Sequence, residues 1–218
     1  GELSLAHNGV LFLDEMPEYQ RHTLEALRQP LEDKKVTVSR VQRTVDYPAN
    51  FMLVASMNPC PCGNYGSKTA ECKCTPREIR NYLGKISGPL LDRIDLQIEV
   101  DNVSYSEFTD RTALETSKDV KERTDRAREI QRLRFADNGT ICNAQMTNAM
   151  IKKFCPLDDN CERLLKRAFE KLNLSARATT RIIKVARTIA DLDGQENISE
   201  KHIAEAIQYR SYDRKFND

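Results

Sequence analysis

Hydrophobic and polar positions divide the chain near residue 102. Before it, Val10–Leu13, Phe51–Ala55 and the alternating Asp95-Leu96-Gln97-Ile98-Glu99-Val100 read as strands, the first as one buried on both faces. Between the first two, "TLEALRQPLED" carries a helical apolar stripe through Leu24, Leu27 and Leu31, with Pro30 expected to strain or end its last turn. "KKVTVSRVQRTVDYP" sets Val36 and Val38 against Val41 and Val45 around Ser39-Arg40 and reads as a β-hairpin. Thr75, Pro76 and Glu78 make a helix start, as N-cap, first position and third position. Beyond residue 102 the strands stop. Arg111–Arg134, with eight basic and five acidic residues, reads as a solvated helix, and "ADNGT" (Ala136–Thr140) as a turn or linker. Helical segments follow near 146–154, 158–172, 176–192 and 200–210, with Asp158, Ser175 and Ser199 as N-caps. The pattern is an α/β part, 1–104, a helical linker, 105–140, a small helical part, 141–212, and a tail, 213–218.

Composition narrows the class. In 218 residues, 34 Lys and Arg stand against 33 Asp and Glu, a net charge of +1, so basic character is local and not a general coat for nucleic acid. A hydrophobic share of 39% suffices for a packed core, and no apolar run approaches the roughly 18–20 residues of a bilayer span. No membrane partner is expected, and no segment reads as a signal peptide, which points to the cytoplasm. The chain begins at Gly1, almost on top of a strand, and so reads as a piece of a longer protein. Of seven cysteines, Cys60, Cys62, Cys72 and Cys74 fall within 15 residues. In a reducing compartment these are free thiols or a metal site, not disulfides. Cys142, Cys155 and Cys161 read as core or near-surface thiols.

Candidate chemistry begins at "GVLFLDEMPEY". An apolar strand followed by Asp14-Glu15 is the form of a Walker B site, where the first acid holds Mg²⁺ of a bound nucleotide and the second polarises water. Alone the pattern is weak. The next strand ends in "SMNP", so Asn58 stands at a second strand end, either to orient that water or, with Pro59, to open a loop. Arg93 lies between Asp92 and Asp95, as part of a surface ion-pair network or as an arginine finger acting in trans. Ser175 caps a helix whose first turn holds Arg177, where the macrodipole disfavours positive charge and favours an anion. Arg181 follows on the same face, and both arginines can equally be solvent-facing. Lys34, Lys35, Arg40 and Arg43 make the hairpin basic, either for phosphate contacts or to protect its edges. The spacing C-x-C-x₉-C-x-C offers four thiolates in two close pairs, with Gly63 and Gly66 in the reversal between them. Tetrahedral Zn²⁺ or reduced free cysteines both satisfy it. His7 reads as a packing or helix-end histidine.

The order strand-Asp-Glu, strand-Asn, Arg, helical-part Arg resembles that of an AAA+ ATPase. "GELSLAHNGVLFLDEMPE", "LRQPLEDKKVTVSR", "NPCPCG", "ISGPLLDRIDL" and "LSARATTRIIKVARTIADL" together resemble the magnesium-chelatase-like AAA+ family of YifB/ComM type over nearly the whole chain. The resemblance implies a partial AAA+ P-loop core, a parallel sheet with helices, followed by an all-helical lid. It implies Asp14 and Glu15 as Walker B, Asn58 as sensor 1, Arg93 as the finger, Arg177 as the sensor 2 arginine, and the hairpin as a pore-facing element. It also implies ATP and Mg²⁺ as cofactors, a hexameric ring of copies of the protein, and action on single-stranded or branched DNA in recombination, branch migration or natural transformation. Two other roles stay open: a chelatase-type ATPase for metal insertion, and a non-catalytic DNA-binding or assembly module built around the Cys₄ cluster. No G-x-x-x-x-G-K-[ST] occurs; "LGKIS" (Leu83–Ser87) lacks the first glycine and the hydroxyl after Lys85. In relatives that loop lies upstream, after a Lon-protease-like domain without peptidase activity. This chain alone is therefore not expected to hydrolyse ATP.

Overall fold

The computed structural model describes residues 1–40, 43–67, 70–100, 115–137 and 139–210. The hairpin tip, residues 101–104 of the expected α/β part, 105–114 of the expected linker, and the 213–218 tail lie outside them. Two compact units are formed, 1–94 and 95–210.

The first unit runs α1 (Glu2–Leu5), β1 (Val10–Leu13), a 3-10 turn (Met16–Glu18), α2 (Arg21–Ala26), α3 (Arg28–Asp33), β2 (Lys35–Arg40), β3 (Arg43–Pro48), β4 (Met52–Ala55), α4 (Pro76–Leu83) and α5 (Gly88–Leu91). β1 and β4 pair in parallel, Val10 opposite Met52 through Leu13 opposite Ala55. Leu11, Leu13 and Leu53 point from this sheet onto Met16, Leu24, Leu27, Leu31, Phe51, Ile86, Leu90 and Leu91. The alternate residues Val10, Phe12, Met52 and Val54 are exposed. β1 is therefore not buried on both faces, as its composition suggested. Alternate side chains of a strand leave on opposite faces, and among the described residues only one face is covered.

The Leu24–Leu31 stripe forms two short helices instead of one. Pro30 has no N–H and its ring crowds the carbonyl four residues back, which is that of Ala26. α2 ends at Ala26, while α3 carries Pro30 in its first turn and continues to Asp33. The proline thus acts one turn earlier than its position suggested. α4 begins as expected: Thr75 N–H donates to Glu78 Oε2 at 2.7 Å and Glu78 N–H to Thr75 Oγ1 at 3.3 Å. "LGKIS" leaves the end of this helix. A Cβ on Gly84 would stand 2.9 Å from the Arg80 carbonyl oxygen, so this glycine closes a helix and does not cradle a phosphate.

The second unit holds α6 (Ser117–Arg134), a 3-10 turn (Asn143–Gln145), α7 (Asn148–Phe154), α8 (Asp159–Leu172), α9 (Ala176–Leu192) and α10 (Glu200–Gln208). Asp158 and Ser175 cap α8 and α9, accepting from the N–H of Cys161 at 2.7 Å and of Ala178 at 3.1 Å. Ser199 is the N-cap of α10, where its N–H donates to His202 Nδ1 at 3.0 Å. Phe135, Met146, Leu165, Ile182, Ala186 and Ile203 form the core, with Cys155 and Cys161 inside it. Burial pushes both thiols up to about 11. Asp191, fully buried, accepts from Arg134 Nη1 at 2.8 Å, Asn143 Nδ2 at 2.7 Å and Arg187 Nε at 3.1 Å. A charge removed from water needs this degree of pairing.

Asp95–Val100 forms no strand. Gln97 N–H donates to the Tyr209 carbonyl at 2.8 Å, while Leu96, Ile98 and Val100 are exposed. Alternation describes what a strand's faces would be, but a strand exists only with a ladder of backbone partners. No helix among the described residues is long and apolar enough to cross a membrane.

Candidate functional site

β1 and β4 run in the same direction, so their carboxyl ends emerge together. The connection is through Ser56: its N–H donates to the Leu13 carbonyl at 2.9 Å, and its carbonyl accepts from Met16 N–H at 2.9 Å. Its hydroxyl donates to Asp14 Oδ1 and accepts from Glu15 N–H at 3.2 Å, while Glu15 N–H also reaches Asp14 Oδ1 at 3.1 Å. Both hydrogen bonds accepted by Asp14 fall on one oxygen, leaving Oδ2 for a cation or water. Glu15 turns off the strand in the left-handed region, φ 49°, which redirects its side chain from that of Asp14. Asp14, Glu15 and Asn58 are all exposed at this edge. The Tyr82 phenol lies beside them. Burial pushes it up, an Asn58 backbone N–H opposes that, and the charges of Glu18 and Glu15 add to it.

Exposed carboxylate oxygens on a rigid strand end suit Mg²⁺, a hard cation held through one or two carboxylates plus phosphate oxygens. The donor set fits. Ser56 and Tyr82 are the site residues that the sequence reading passed over. Ser56 had a signal, as the first polar residue after β4 and the counterpart of Asp14 in a parallel pair. Tyr82, some 24 residues from Asn58, had none.

The remaining assigned residues sit differently. Arg93 is folded onto its own unit: Nη1 donates to the Pro89 carbonyl at 2.6 Å and Nη2 to Glu32 Oε2 at 2.5 Å, leaving the side chain 9% exposed. To reach a neighbouring subunit it must release Glu32. Arg177 is exposed in the first turn of α9, in the second unit. Arg181, one turn on, pairs with Asp95. His7 Nδ1 accepts from Asn50 N–H at 3.1 Å, a packing role.

The hairpin pairs Lys35 with Pro48 through Arg40 with Arg43, so Ser39 and Arg40 lie within its first strand. Lys35 Nζ meets Asp46 Oδ2 at 2.6 Å, and Thr37 Oγ1 donates to Asp46 Oδ1 at 2.5 Å. Those bonds hold Asp46 below the usual carboxylate range and raise Lys35. Lys35 is thus neutralised locally. Arg40 and Arg43, by contrast, are direct register partners beside the tip.

Downstream of Asn58, Cys60 Sγ lies 3.4 Å from Cys62 Sγ and 3.7 Å from Cys72 Sγ, and the Cys62–Cys72 separation is 3.7 Å. With Cys74, the four sulfurs lie within 4.8 Å of one another. Backbone N–H groups of Asn64 and Lys73 pull Cys62 down to about 6, while burial pushes Cys74 up to about 12.

Residues 1–108 match the family described as magnesium chelatase, subunit ChlI, and residues 114–210 its companion, magnesium chelatase, subunit ChlI C-terminal. The chain is 47% identical to competence protein ComM of Haemophilus influenzae over 214 residues, 97% of this chain and 40% of the relative. It is 44% identical to the YifB protein of Escherichia coli over 216 residues, 98% of this chain and 41% of that one. More distantly, it is 26% identical to the magnesium-chelatase 38 kDa subunit of Acidiphilium rubrum over 207 residues, 93% of this chain and 52% of the relative. The chain spans about 40% of the length of the first two relatives. With both parts of one family matched in order along nearly its whole length, the chain belongs to the magnesium chelatase ChlI family.

Proposed function

We propose that the full-length protein is a cytoplasmic AAA+ ATPase motor that assembles as a hexameric ring and translocates on single-stranded or branched DNA, serving branch migration, recombination or natural transformation. The observation that carries this reading is the pair of parallel strand ends at which Ser56 bridges Asp14 and Glu15, with Asn58 two residues on. Asp14, through Oδ2, would hold Mg²⁺ of a bound ATP, whose chemistry there is to neutralise charge on the phosphates. Glu15 accepts the proton of the attacking water, and the Asn58 amide orients that water. Arg177 in the helical lid and Arg93 from a neighbouring copy stabilise γ-phosphate charge, Arg93 after leaving Glu32. The phosphate loop is not in this chain, so these residues are one side of a site completed elsewhere in the protein. The relative named for competence supports DNA as the track, and so do the paired Arg40 and Arg43.

The likeness to a magnesium-chelatase subunit supports a second reading, an ATPase that drives metal insertion into a tetrapyrrole. ATP hydrolysis by the full-length protein, measured with and without branched DNA, separates the two. The motor predicts DNA-stimulated hydrolysis that Glu15→Gln reduces at least a hundredfold with nucleotide binding retained. Hydrolysis indifferent to DNA favours the chelatase role. No hydrolysis at all leaves an assembly module with a remnant site.

A further inference from the structure

We propose that Cys60, Cys62, Cys72 and Cys74 form a closed tetrathiolate site for one structural Zn²⁺, which staples the 59–75 insert to the end of β4. The geometry is that of a ligand shell. A zinc–sulfur bond of about 2.3 Å in a regular tetrahedron places sulfurs about 3.8 Å apart. The measured separations are 3.4, 3.7 and 3.7 Å, with all four sulfurs inside 4.8 Å. Disulfide sulfurs would stand about 2.05 Å apart, and all four cysteines are free.

The surrounding backbone is arranged for the same purpose. Gly63 and Gly66 take positive φ, 78° and 81°, giving the reversal that returns the chain toward the first pair. Tyr65 N–H donates to Cys60 Sγ at 3.3 Å, and Gly63 N–H donates to the Cys60 carbonyl at 3.0 Å. Such an N–H···S bond stabilises the thiolate that a metal would bind.

The insert has little regular structure or burial to hold it. Among its described residues there is no helix or strand, and Cys60 alone is buried. A segment with so little apolar area to bury needs a covalent or metal cross-link to hold one shape. Four protein ligands leave no open coordination position, which makes the site structural and not catalytic. Loading deprotonates whichever thiols still carry protons, and those protons pass to solvent. The site stands independently of the ATPase reading, because its test needs no turnover.

Metal analysis of the full-length protein, purified without chelator, should give about one zinc per chain. The double variant Cys60→Ser/Cys74→Ser should lose it, whereas Cys142→Ser should keep it. Because the double variant could misfold, hydrogen exchange of the wild type before and after chelation is the second measurement. Removal of zinc should deprotect residues 59–75 and leave α8 and α9 unchanged. Less than about half a zinc per chain, zinc retained by the double variant, iron in its place, or exchange in 59–75 indifferent to chelation would each overturn the proposal.

Discussion

Ser56 is the residue on which the candidate site depends. Its hydroxyl serves Asp14 and Glu15 together, and its main chain closes the β1–β4 edge. Ser56→Ala removes the hydroxyl but keeps the ladder, so stability should fall by only about 0.5–1.5 kcal/mol in chemical denaturation. Nucleotide affinity of the full-length protein in the presence of Mg²⁺ should fall by about tenfold, and Ser56→Thr should restore most of it. Equal loss in both variants would show that the site depends on side-chain size and not on the hydroxyl. Arg93 allows a sharper separation of roles. If it acts on a neighbouring copy, Glu32→Gln releases it and leaves turnover intact or higher, while Arg93→Ala abolishes turnover. If it only braces α3 against the Pro89 turn, neither substitution touches turnover, and a double-mutant cycle returns a coupling of about 1 kcal/mol.

At the level of elements, helix-end carboxylates make the helical unit sensitive to acid. Backbone N–H donation from Cys161 holds Asp158 below the usual carboxylate range, and Lys201 with His202 does the same for Asp193. A carboxyl depressed in the folded state adds stability above its unfolded pKa, about 3.9, and loses it as pH falls through the folded value. Melting followed by circular dichroism should therefore be flat from pH 7 to about 5 and decline below about 4. Asp158→Asn caps without titrating, so it should flatten the decline; Asp158→Ala should lower the melting temperature at every pH by a few degrees. At the end of α4, Gly84→Ala drives a Cβ onto the Arg80 carbonyl and should cost about 1–3 kcal/mol in denaturant titration. These elements were legible because caps, Gly and Pro act over four residues or fewer. Thr75, Asp158 and Ser175 could be placed from sequence for that reason. The Asp95–Val100 segment was not, because strand formation depends on a partner that local alternation does not encode. The break at Ala26 was misplaced by one turn, since Pro30 acts on a carbonyl four residues behind it. Asp14 and Asn58 were legible as strand ends, but Tyr82 reaches them only through packing.

For the molecule as a whole, a net charge of +1 means that any affinity for DNA must come from a few placed cations. The hairpin offers such a placement, and its residues are unequal. Lys35 is committed to Asp46, which Thr37 also holds. Arg40 and Arg43 are register partners in the ladder, and like charges at opposite positions weaken a hairpin. On the proposed DNA-binding role, phosphate bound near the pair would offset that cost. Each phosphate contact on single-stranded DNA contributes about −0.7 to the slope of log K against log salt. Arg40→Ala and Arg43→Ala in the full-length protein should each weaken binding equally across DNA sequences and make that slope shallower by about that amount. Lys35→Ala should leave the slope nearly unchanged, because its charge is already met. Asp46→Asn should steepen it by freeing Lys35. Fluorescence anisotropy over a salt series reads all four variants. If the lysine and arginine substitutions proved interchangeable, the hairpin would be acting as a diffuse positive surface, and the distinction drawn from the Lys35–Asp46 pair would fail.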